Sequence, residues 1–233
     1  MQLPLDVAPS VTHVDSLDSF RAAVNSSFVP LQVDSEDSGP FQATLSAAGA
    51  DGIVFTEVKA RPQLVQRTPE TIETGGSGYY KVSLLLSGTG FLTQDGREIV
   101  MQPADLSFYD TSRPYSLLFN ENFRNLIMMF PKDRLEFPTI LTDALTAVSL
   151  REQHDLAKAV APFIAQASPQ LPQLPAIART KLAHTSLELI NTMRSAILDV
   201  ESNPRNPHEL LLQKIYAHIN TNLGSSELTP SSI

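Results

Sequence analysis

Residues 88–115, GTGFLTQDGREIVMQPADLSFYDTSRPY, contain the patterns of two consecutive β-hairpins. Asp95-Gly96 lies between the strand-forming runs FLTQ and REIVM, which is the strongest short-range hairpin signal. Pro103 predicts a second turn in QPAD, because proline fixes φ at the first central position of a β-turn. The run LSFY follows as a strand, and Pro114 ends it, since proline has no N–H to donate to a ladder. Strands this short predict a small antiparallel barrel or sandwich.

Similar patterns extend outward over residues 31–137, where alternating or β-branched and aromatic runs are separated by polar turns. The predicted strands cover residues 31–33, 41–45, 53–58, 64–67, 79–87, 91–93, 98–101, 106–109, 115–119 and 125–130. A helix is predicted ahead of them over residues 15–28, with Asp15 as its N-cap. Residues 1–14 have no period and contain two prolines, which is typical of a flexible arm. The number of strands suits a cupin-like jelly roll.

The pattern changes from strand to helix after Pro138. Apolar residues recur at helical spacing over residues 141–167, with a break near Leu150, and again over residues 177–200. The proline-rich run SPQLPQLP separates these two segments. We therefore predict two helices joined by a short connection, an αα-hairpin.

Composition narrows the class of protein. The chain has 233 residues, of which 42% are hydrophobic and 18% charged, which is typical of a globular protein. Its formal net charge is −8, so the composition indicates no basic face through which this chain alone would bind DNA. It has no cysteine, which excludes disulfides and thiol chemistry. It has neither an apolar run of about eighteen residues nor a basic, then apolar N-terminus, so we expect no membrane helix, no secretory signal and a cytoplasmic location.

Four motifs give the sequence a resemblance to a known family. They are G-T-G at 88–90, Q-D-G-R at 94–97, P-A-D-L at 103–106 and Y-D-T-S-R-P-Y at 109–115. Together they resemble the sensor domain of AraC/XylS-type transcriptional regulators, in the subgroup with a cupin-like AraC-binding domain. That family has glycine at the position of Ala104, so we expect the turn here to avoid a positive φ.

The C-terminal residues resemble the start of the AraC-type helix-turn-helix domain. A linker, SNPRNP at 202–207, precedes an amphipathic helix pattern over residues 209–223. The dipeptide TP at 229–230 then has the form of an N-cap and first helical residue. The resemblance, which covers about residues 17–233, implies a DNA-binding domain truncated at Ile233. Operator DNA would then be bound only through the missing C-terminal part.

The resemblance also implies a homodimer, because the helices that follow the barrel form the dimer contact in this family. The predicted interface consists of apolar positions on the second helix: Leu182, Leu189, Ile190, Met193 and Ile197. Apolar stripes of this kind are equally typical of a protein's own core.

Several kinds of catalytic site are excluded by residue type. The histidines are His13, His154, His184, His208 and His218, and none lies in a predicted strand. A barrel metal site built on two or three histidines is therefore excluded. The chain also lacks the G-x-S-x-G pattern of an activated serine. We predict no catalytic residues, no metal and no cofactor.

Ligand binding is the more plausible chemistry, because a barrel can enclose a small molecule and a buried charge needs a partner. Cationic and tyrosine side chains in or beside the strands are the candidate effector ligands: Arg61, Arg67, Tyr79, Lys81, Tyr109, Arg113 and Tyr115. Since an arginine fork pairs with a carboxylate, we expect a small organic acid, aromatic acids included. A structural role remains open for each residue, including an Arg113 pair with Asp110 or Asp105. Arg97, beside a hairpin tip, is expected to be exposed.

We therefore predict an α+β protein: an N-terminal arm (1–14), a cupin-like sensor domain (15–138), a helical dimerisation hairpin (139–202) and the start of a helix-turn-helix (203–233). Its predicted function is effector sensing in an AraC-type regulator. Two alternatives stay open. One is a metal-free cupin-like enzyme, such as an isomerase or epimerase, using tyrosine, lysine or carboxylates as acid and base. The other is a stand-alone ligand-binding or dimerising module.

Overall fold

The computed structural model describes residues 7–36, 39–76, 78–135, 142–198 and 215. The described ranges contain eleven strands: β1 (Ser10–Val14), β2 (Gln32–Asp34), β3 (Ala43–Ala50), β4 (Ile53–Ala60), β5 (Gln63–Arg67), β6 (Tyr79–Ser87), β7 (Gly90–Gln94), β8 (Arg97–Met101), β9 (Leu106–Asp110), β10 (Tyr115–Phe119) and β11 (Phe123–Pro131). The helices are α1 (Leu17–Ser27), α2 (Pro69–Glu73), α3 (Leu150–Gln153), α4 (Leu156–Ala167) and α5 (Ala176–Leu198), with 3-10 helices at Lys132–Arg134 and Ser168–Gln173.

All strand pairs are antiparallel and they form two sheets. The six-stranded sheet has the order β1-β3-β4-β11-β6-β9, and the five-stranded sheet has the order β2-β5-β10-β7-β8. No strand pairing joins the two sheets within the described residues. The predicted cupin-like jelly roll is therefore confirmed, and of the two forms left open, barrel or sandwich, it takes the form of two sheets that are not closed into a barrel.

Apolar residues fill two separate cores. The first lies between the sheets, where Leu45 and Val58 of the larger sheet meet Leu92 and Leu117 of the smaller one. The second lies on the outer face of the larger sheet, which α4 and α5 cover. Strand β6 therefore lies between two cores, and its first seven residues are all buried. This position explains why YYKVSLLLS reads as a nearly continuous apolar run and does not alternate.

Of the two predicted hairpins, the first forms as expected. The second was wrong, because β8 and β9 on either side of the QPAD turn belong to different sheets and pair with β7 and β6. Asp95 and Gly96 connect β7 to β8, and both have positive φ, of 55° and 72°. That conformation suits Asp-Gly because it matches the twist of the two strands. The helix predicted over residues 141–167 corresponds to α3 and α4 from Leu150 onward. The helix is broken at His154 and Asp155, between α3 and α4, a few residues after the predicted break near Leu150.

The expectation for Ala104 was wrong. Ala104 has a φ of +73° although it is not glycine. Three hydrogen bonds hold the turn: the Ala104 N–H donates to the Leu85 carbonyl at 2.8 Å, the Asp105 N–H to the Gln102 carbonyl at 2.9 Å, and the Gln102 N–H to the Asp105 carboxylate at 2.8 Å. These bonds impose the left-handed backbone that a side chain disfavours.

The N-terminal prediction also needs correction. Ser10–Val14 is a strand paired with β3, so the predicted arm belongs to the larger sheet from Ser10 onward. The N-cap of α1 is Ser16, whose hydroxyl accepts from the Ser19 N–H, and not Asp15. Helix α2, which Thr68 caps, was not predicted.

Some predictions lie outside the described residues. These are residues 1–6 of the arm, residues 136–141, and the linker and helix-turn-helix segment over residues 202–233, apart from the helical Ile215. Among the described helices, none combines the length and apolar character needed to cross a bilayer.

Candidate functional site

The space between the two sheets contains a cavity of about 40 Å³. One side is formed by aromatic and aliphatic residues of α1 and the segment that follows it: Phe20, Val24, Phe28 and Leu31. The strands contribute most of the remaining wall, which is also largely apolar. The polar side chains that reach the cavity are Gln63, Lys81, Tyr109, Tyr115 and Asn125. A few polar groups in an apolar enclosure are typical of a small-molecule site.

Lys81 is the charged group of this cavity. It lies on β6 opposite Tyr109 of β9, and only 2% of it is exposed. Its Nζ is 3.0 Å from the Tyr115 hydroxyl and 4.5 Å from the centre of the Phe28 ring. No carboxylate of the described residues forms an ion pair with it. Burial away from water, and secondarily the positive charge of Arg67, lower the pKa of Lys81 to about 7.

The two tyrosines of the cavity stand edge to face. The ring centres of Tyr109 and Tyr115 are 4.8 Å apart with an interplanar angle of 68°. Burial raises the pKa of both phenols, so both hydroxyls carry their protons at neutral pH. Tyr115 can therefore donate a proton to a group bound beside Lys81.

Two amide side chains complete the polar lining. Asn125 accepts a hydrogen bond from the Ser83 hydroxyl at 2.8 Å. The Gln63 Oε1 atom is buried and, within the described ranges, has no hydrogen-bond partner. A buried acceptor without a donor is costly, so this oxygen favours a bound molecule or water that carries a proton.

Arg67 plays a different part from the one expected. It is 1% exposed, and its guanidinium donates to four backbone carbonyls. The acceptors are Thr111 at 3.1 Å, Pro30 at 2.7 Å, Thr71 at 2.8 Å and Gly75 at 2.6 Å. Arg67 therefore ties three loops to β5 and does not reach the cavity lining.

Arg113 lies in an ion-pair network between the β9–β10 connection and the tip of the β7–β8 hairpin. Its guanidinium contacts Asp95 at 3.0 Å, Asp110 at 3.3 Å and Asp143 at 2.8 Å. Asp110 also pairs with Lys132 at 2.6 Å. The alternative of a structural ion pair between Arg113 and Asp110 therefore agrees with the observed contacts. Asp105, the other partner considered, forms no ion pair with Arg113 among the described residues.

Arg97 belongs to the same region and is not freely exposed as expected. Its Nε donates to the Thr146 carbonyl at 2.8 Å, and its Nη2 contacts the Asp143 carbonyl. Residues 142–147 are thereby attached to the β7–β8 hairpin. This segment precedes the helical layer, so the network connects the hairpins to the helices.

The two remaining candidates lie apart from the cavity. Arg61 lines an open surface cleft of about 650 Å³, together with His13, Lys59 and Arg124. Tyr79 is buried in the first core and is outside the cavity lining. Of the seven predicted effector ligands, the structure brings together three: Lys81, Tyr109 and Tyr115.

Comparison with known proteins identifies the family. The model of the AraC-binding-like domain matches residues 20–193, which is most of the chain. The chain belongs to the AraC-binding-like domain family. The resemblance to AraC-type sensor domains is thereby confirmed.

Two relatives of this AraC-binding-like domain extend the comparison. A protein described as an uncharacterized protein in the nit 5'region of Bacillus sp. (strain OxB-1) is 28% identical over 216 residues, covering 92% of this chain and 84% of its own. The crystal structure of the AraC-like transcriptional activator CuxR superposes with a TM-score of 0.64 at 17% identity, covering 96% of this chain and 82% of that one. The similarity to CuxR shows a common fold.

The predicted dimer residues of this AraC-binding-like domain divide into two groups. Ile190 and Met193 are fully buried in the second core, where α5 packs on the larger sheet. They have no surface left for a partner chain, so their assignment to an interface was wrong. Leu182, Leu189 and Ile197 are only partly buried and remain available as interface candidates.

The polar and aromatic residues that sequence reasoning missed are Gln63, Asn125 and Phe28. Gln63 and Asn125 both lie on strands at inward-facing positions. In β11, Asn125 interrupts an apolar alternation, whereas in β5 the inward position of Gln63 is followed only by Val65 and Arg67. That interruption was the available signal. Phe28 lies after the end of α1, and only tertiary packing brings it to Lys81.

The exclusion of a histidine metal site assumed that no histidine lies in a strand, and this assumption was wrong. His13 does lie in a strand, β1, but it is exposed and its Nδ1 is 3.1 Å from the Thr44 hydroxyl. Among the described residues, no three histidine, aspartate or glutamate side chains come together as a metal site.

Proposed function

We propose that this chain is the effector-binding part of an AraC-type transcriptional regulator. Family membership and the fold shared with the activator CuxR support this function. The effector would occupy the cavity between the sheets. Homodimerisation through α5 and binding of operator DNA through a C-terminal helix-turn-helix are parts of the same proposal.

One observation carries the effector site: Lys81 is a buried amine without a counter-ion among the described residues. Burying an ammonium group is costly unless an opposite charge accompanies it. The carboxylate of a small organic acid would supply that charge, with the Tyr115 hydroxyl as a further donor. This reasoning favours an acid over a neutral effector.

The size of the cavity limits the acid. A cavity of about 40 Å³ holds roughly three water molecules at about 10–15 Å³ each. An acid of two to four carbons fits with small side-chain adjustments. An aromatic acid requires α1 to move, because Phe20, Val24 and Phe28 form that wall.

The ion-pair network offers a route from the effector to the helical layer. Tyr109 lines the cavity, and the next residue, Asp110, contacts Arg113 and Lys132. Arg113 in turn contacts Asp143, ahead of the helices. An effector that binds one arrangement of this network more tightly would shift the population toward it.

The experiment is a thermal-shift titration of the full chain with acetate, propionate and butyrate at about pH 7. We expect stabilisation that grows with acid concentration, as mass action requires. Lys81→Met should abolish the shift, whereas Lys59→Met, which removes an exposed lysine of β4 outside the cavity, should retain it. Alcohols of the same length serve as uncharged controls. Equal shifts in all three proteins would contradict an effector site at Lys81.

A metal-free enzyme remains a second candidate, because Lys81 and Tyr115 form a base and acid pair 3.0 Å apart. An isomerase or epimerase of this kind exchanges a substrate C–H hydrogen with solvent. Incubation of the chain with short 2-hydroxy and 2-oxo acids in D₂O, followed by NMR, tests this function. Deuterium incorporation that Lys81→Met abolishes would favour the enzyme over the sensor.

A further inference from the structure

The nitrogen of Lys81 has the surroundings of a nucleophile. Its side chain is held in an aromatic enclosure, with Nζ 4.5 Å from the Phe28 ring centre and 5.8 Å from that of Tyr109. Its described hydrogen bond joins it to the Tyr115 hydroxyl. Burial lowers the pKa of Lys81 to about 7, so in a large share of the molecules this side chain is a free amine at neutral pH. Desolvated lysines of this kind form imines with carbonyl compounds.

Tyr115 is placed to assist such a reaction. Its hydroxyl lies 3.0 Å from Nζ, so it would also lie near an oxygen on a carbon newly bonded to that nitrogen. Burial raises its pKa, so the hydroxyl is protonated at neutral pH and can donate a hydrogen bond to that oxygen. The buried Gln63 Oε1 atom, without a partner among the described residues, is an acceptor in the same cavity.

We infer that Lys81 captures a short 2-oxo acid as an imine. This inference rests on the proposed function, since it specifies the class of acid that the cavity binds. The Nζ lone pair attacks the carbonyl carbon to form a carbinolamine. Tyr115 then donates a proton to the departing hydroxyl and water leaves. The product is a protonated imine, which can exchange its proton with the tyrosine phenolate. One C=O bond is replaced by one C=N bond, and no oxidant or reductant is needed.

The carboxylate explains why an oxo acid is favoured over a simple aldehyde. A protonated imine is a cation, and the adjacent carboxylate of a 2-oxo acid provides its counter-ion within the same molecule. The described surroundings of Lys81 provide no carboxylate of their own. Glyoxylate, the smallest 2-oxo acid, also matches the small volume of the cavity.

Reductive trapping tests the inference. The full chain is incubated with a low concentration of glyoxylate and cyanoborohydride at about pH 7, and its intact mass and peptide map are measured. We expect one adduct per chain, heavier by the mass of glyoxylic acid less one oxygen atom, on the peptide that contains Lys81. The other five lysines of the sequence serve as internal controls. Labelling spread evenly over the lysines would overturn the inference.

Two variants add independent readouts. Lys81→Met should lose the adduct, and its circular dichroism spectrum verifies that it folds. Tyr115→Phe keeps the ring but removes the proton donor, and it should slow trapping by at least about a hundredfold, the lower end of the range for general acid catalysis. Unchanged trapping in Tyr115→Phe would contradict the role of its hydroxyl.

A parallel propionate titration separates the two proposals. Propionate has the carboxylate but no carbonyl group. Stabilisation by propionate without trapping of glyoxylate would refute the imine and leave the effector site in place. Trapping at Lys81 would support the inference, and the absence of both responses would overturn both proposals.

Discussion

Replacing Lys81 by methionine should change how the stability of the protein depends on pH. Methionine has a similar length and no charge, so the variant removes one titrating group from the interior. Lys81 is 2% exposed, and its pKa is about 7 in the folded chain against 10.5 as its ordinary value. The folded state thus disfavours the ammonium form, whereas the unfolded chain retains it until the pH approaches 10.5.

The sign of the effect follows from proton linkage. Between about pH 7 and pH 10.5 the unfolded chain binds a proton that the folded chain has released, so stability rises with pH across that range. The slope is about 1.4 kcal/mol per pH unit well inside it. From about pH 6 to about pH 9, the free energy of unfolding of the natural chain should rise by about 3 kcal/mol relative to Lys81→Met.

Urea denaturation of both proteins at several pH values measures this difference. Contributions from other titrating groups largely cancel, because distant sites are nearly additive. Lys59→Met is the matched control, since Lys59 is exposed on β4 and lies outside the cavity. A difference between the natural chain and Lys81→Met that stays constant over this pH range would refute the account of Lys81 as a buried amine without a counter-ion.

Three further predictions concern the stability of the fold outside the cavity. Arg67→Met should lower the free energy of unfolding by about 3–5 kcal/mol, because four backbone carbonyls lose a charged donor. If the variant instead lost acid binding at unchanged stability, Arg67 would be an effector ligand after all. Ala104→Gly should raise the unfolding free energy by roughly 0.5–1 kcal/mol in denaturation, because glycine adopts the φ of +73° without strain, and any loss would count against that strain. Asp51→Asn weakens the contacts to His184 and Arg134 and should cost about 1 kcal/mol at neutral pH. Because these partners lower the Asp51 pKa, the contribution is present above pH 3.8 and disappears as the pH falls further; a cost that persists in acid would contradict it.

Local patterns were sufficient for most of the strands. The Asp95-Gly96 pair predicted the β7–β8 hairpin, and Pro103 predicted the turn that follows it. These signals act over a few residues, since each depends on backbone conformations that particular residue types favour. Strand β1 escaped prediction because SVTHV is a short, mostly exposed edge strand whose partner, β3, is about thirty residues away.

Roles of the charged residues were predicted less well. Arg67 and Lys81 were both chosen because a cation lay within a strand pattern. The structure gives Arg67 four carbonyl acceptors that lie between 4 and 44 residues away in the chain, and leaves Lys81 with a tyrosine hydroxyl. No local pattern distinguishes these two outcomes, because each depends on which distant segments reach the side chain.

The same limit applies to the helices. The apolar spacing of α5 predicted a buried face but could not tell the protein's own core from a dimer contact. Ile190 and Met193 proved to be fully buried in the second core, while Leu182 and Leu189 pack against it only partly buried.

The sequence by itself determined the antiparallel architecture, the family and the residue types available for chemistry, since these follow from short-range turns, side-chain periodicity and motifs. Tertiary structure alone decided which of those residues share a cavity. Two sheets and α1 come together around Lys81, Tyr115 and Gln63 from segments far apart in the chain. Their chemistry depends on the water removed by that packing, and removal of water is a property of the assembled fold rather than of any single stretch of sequence.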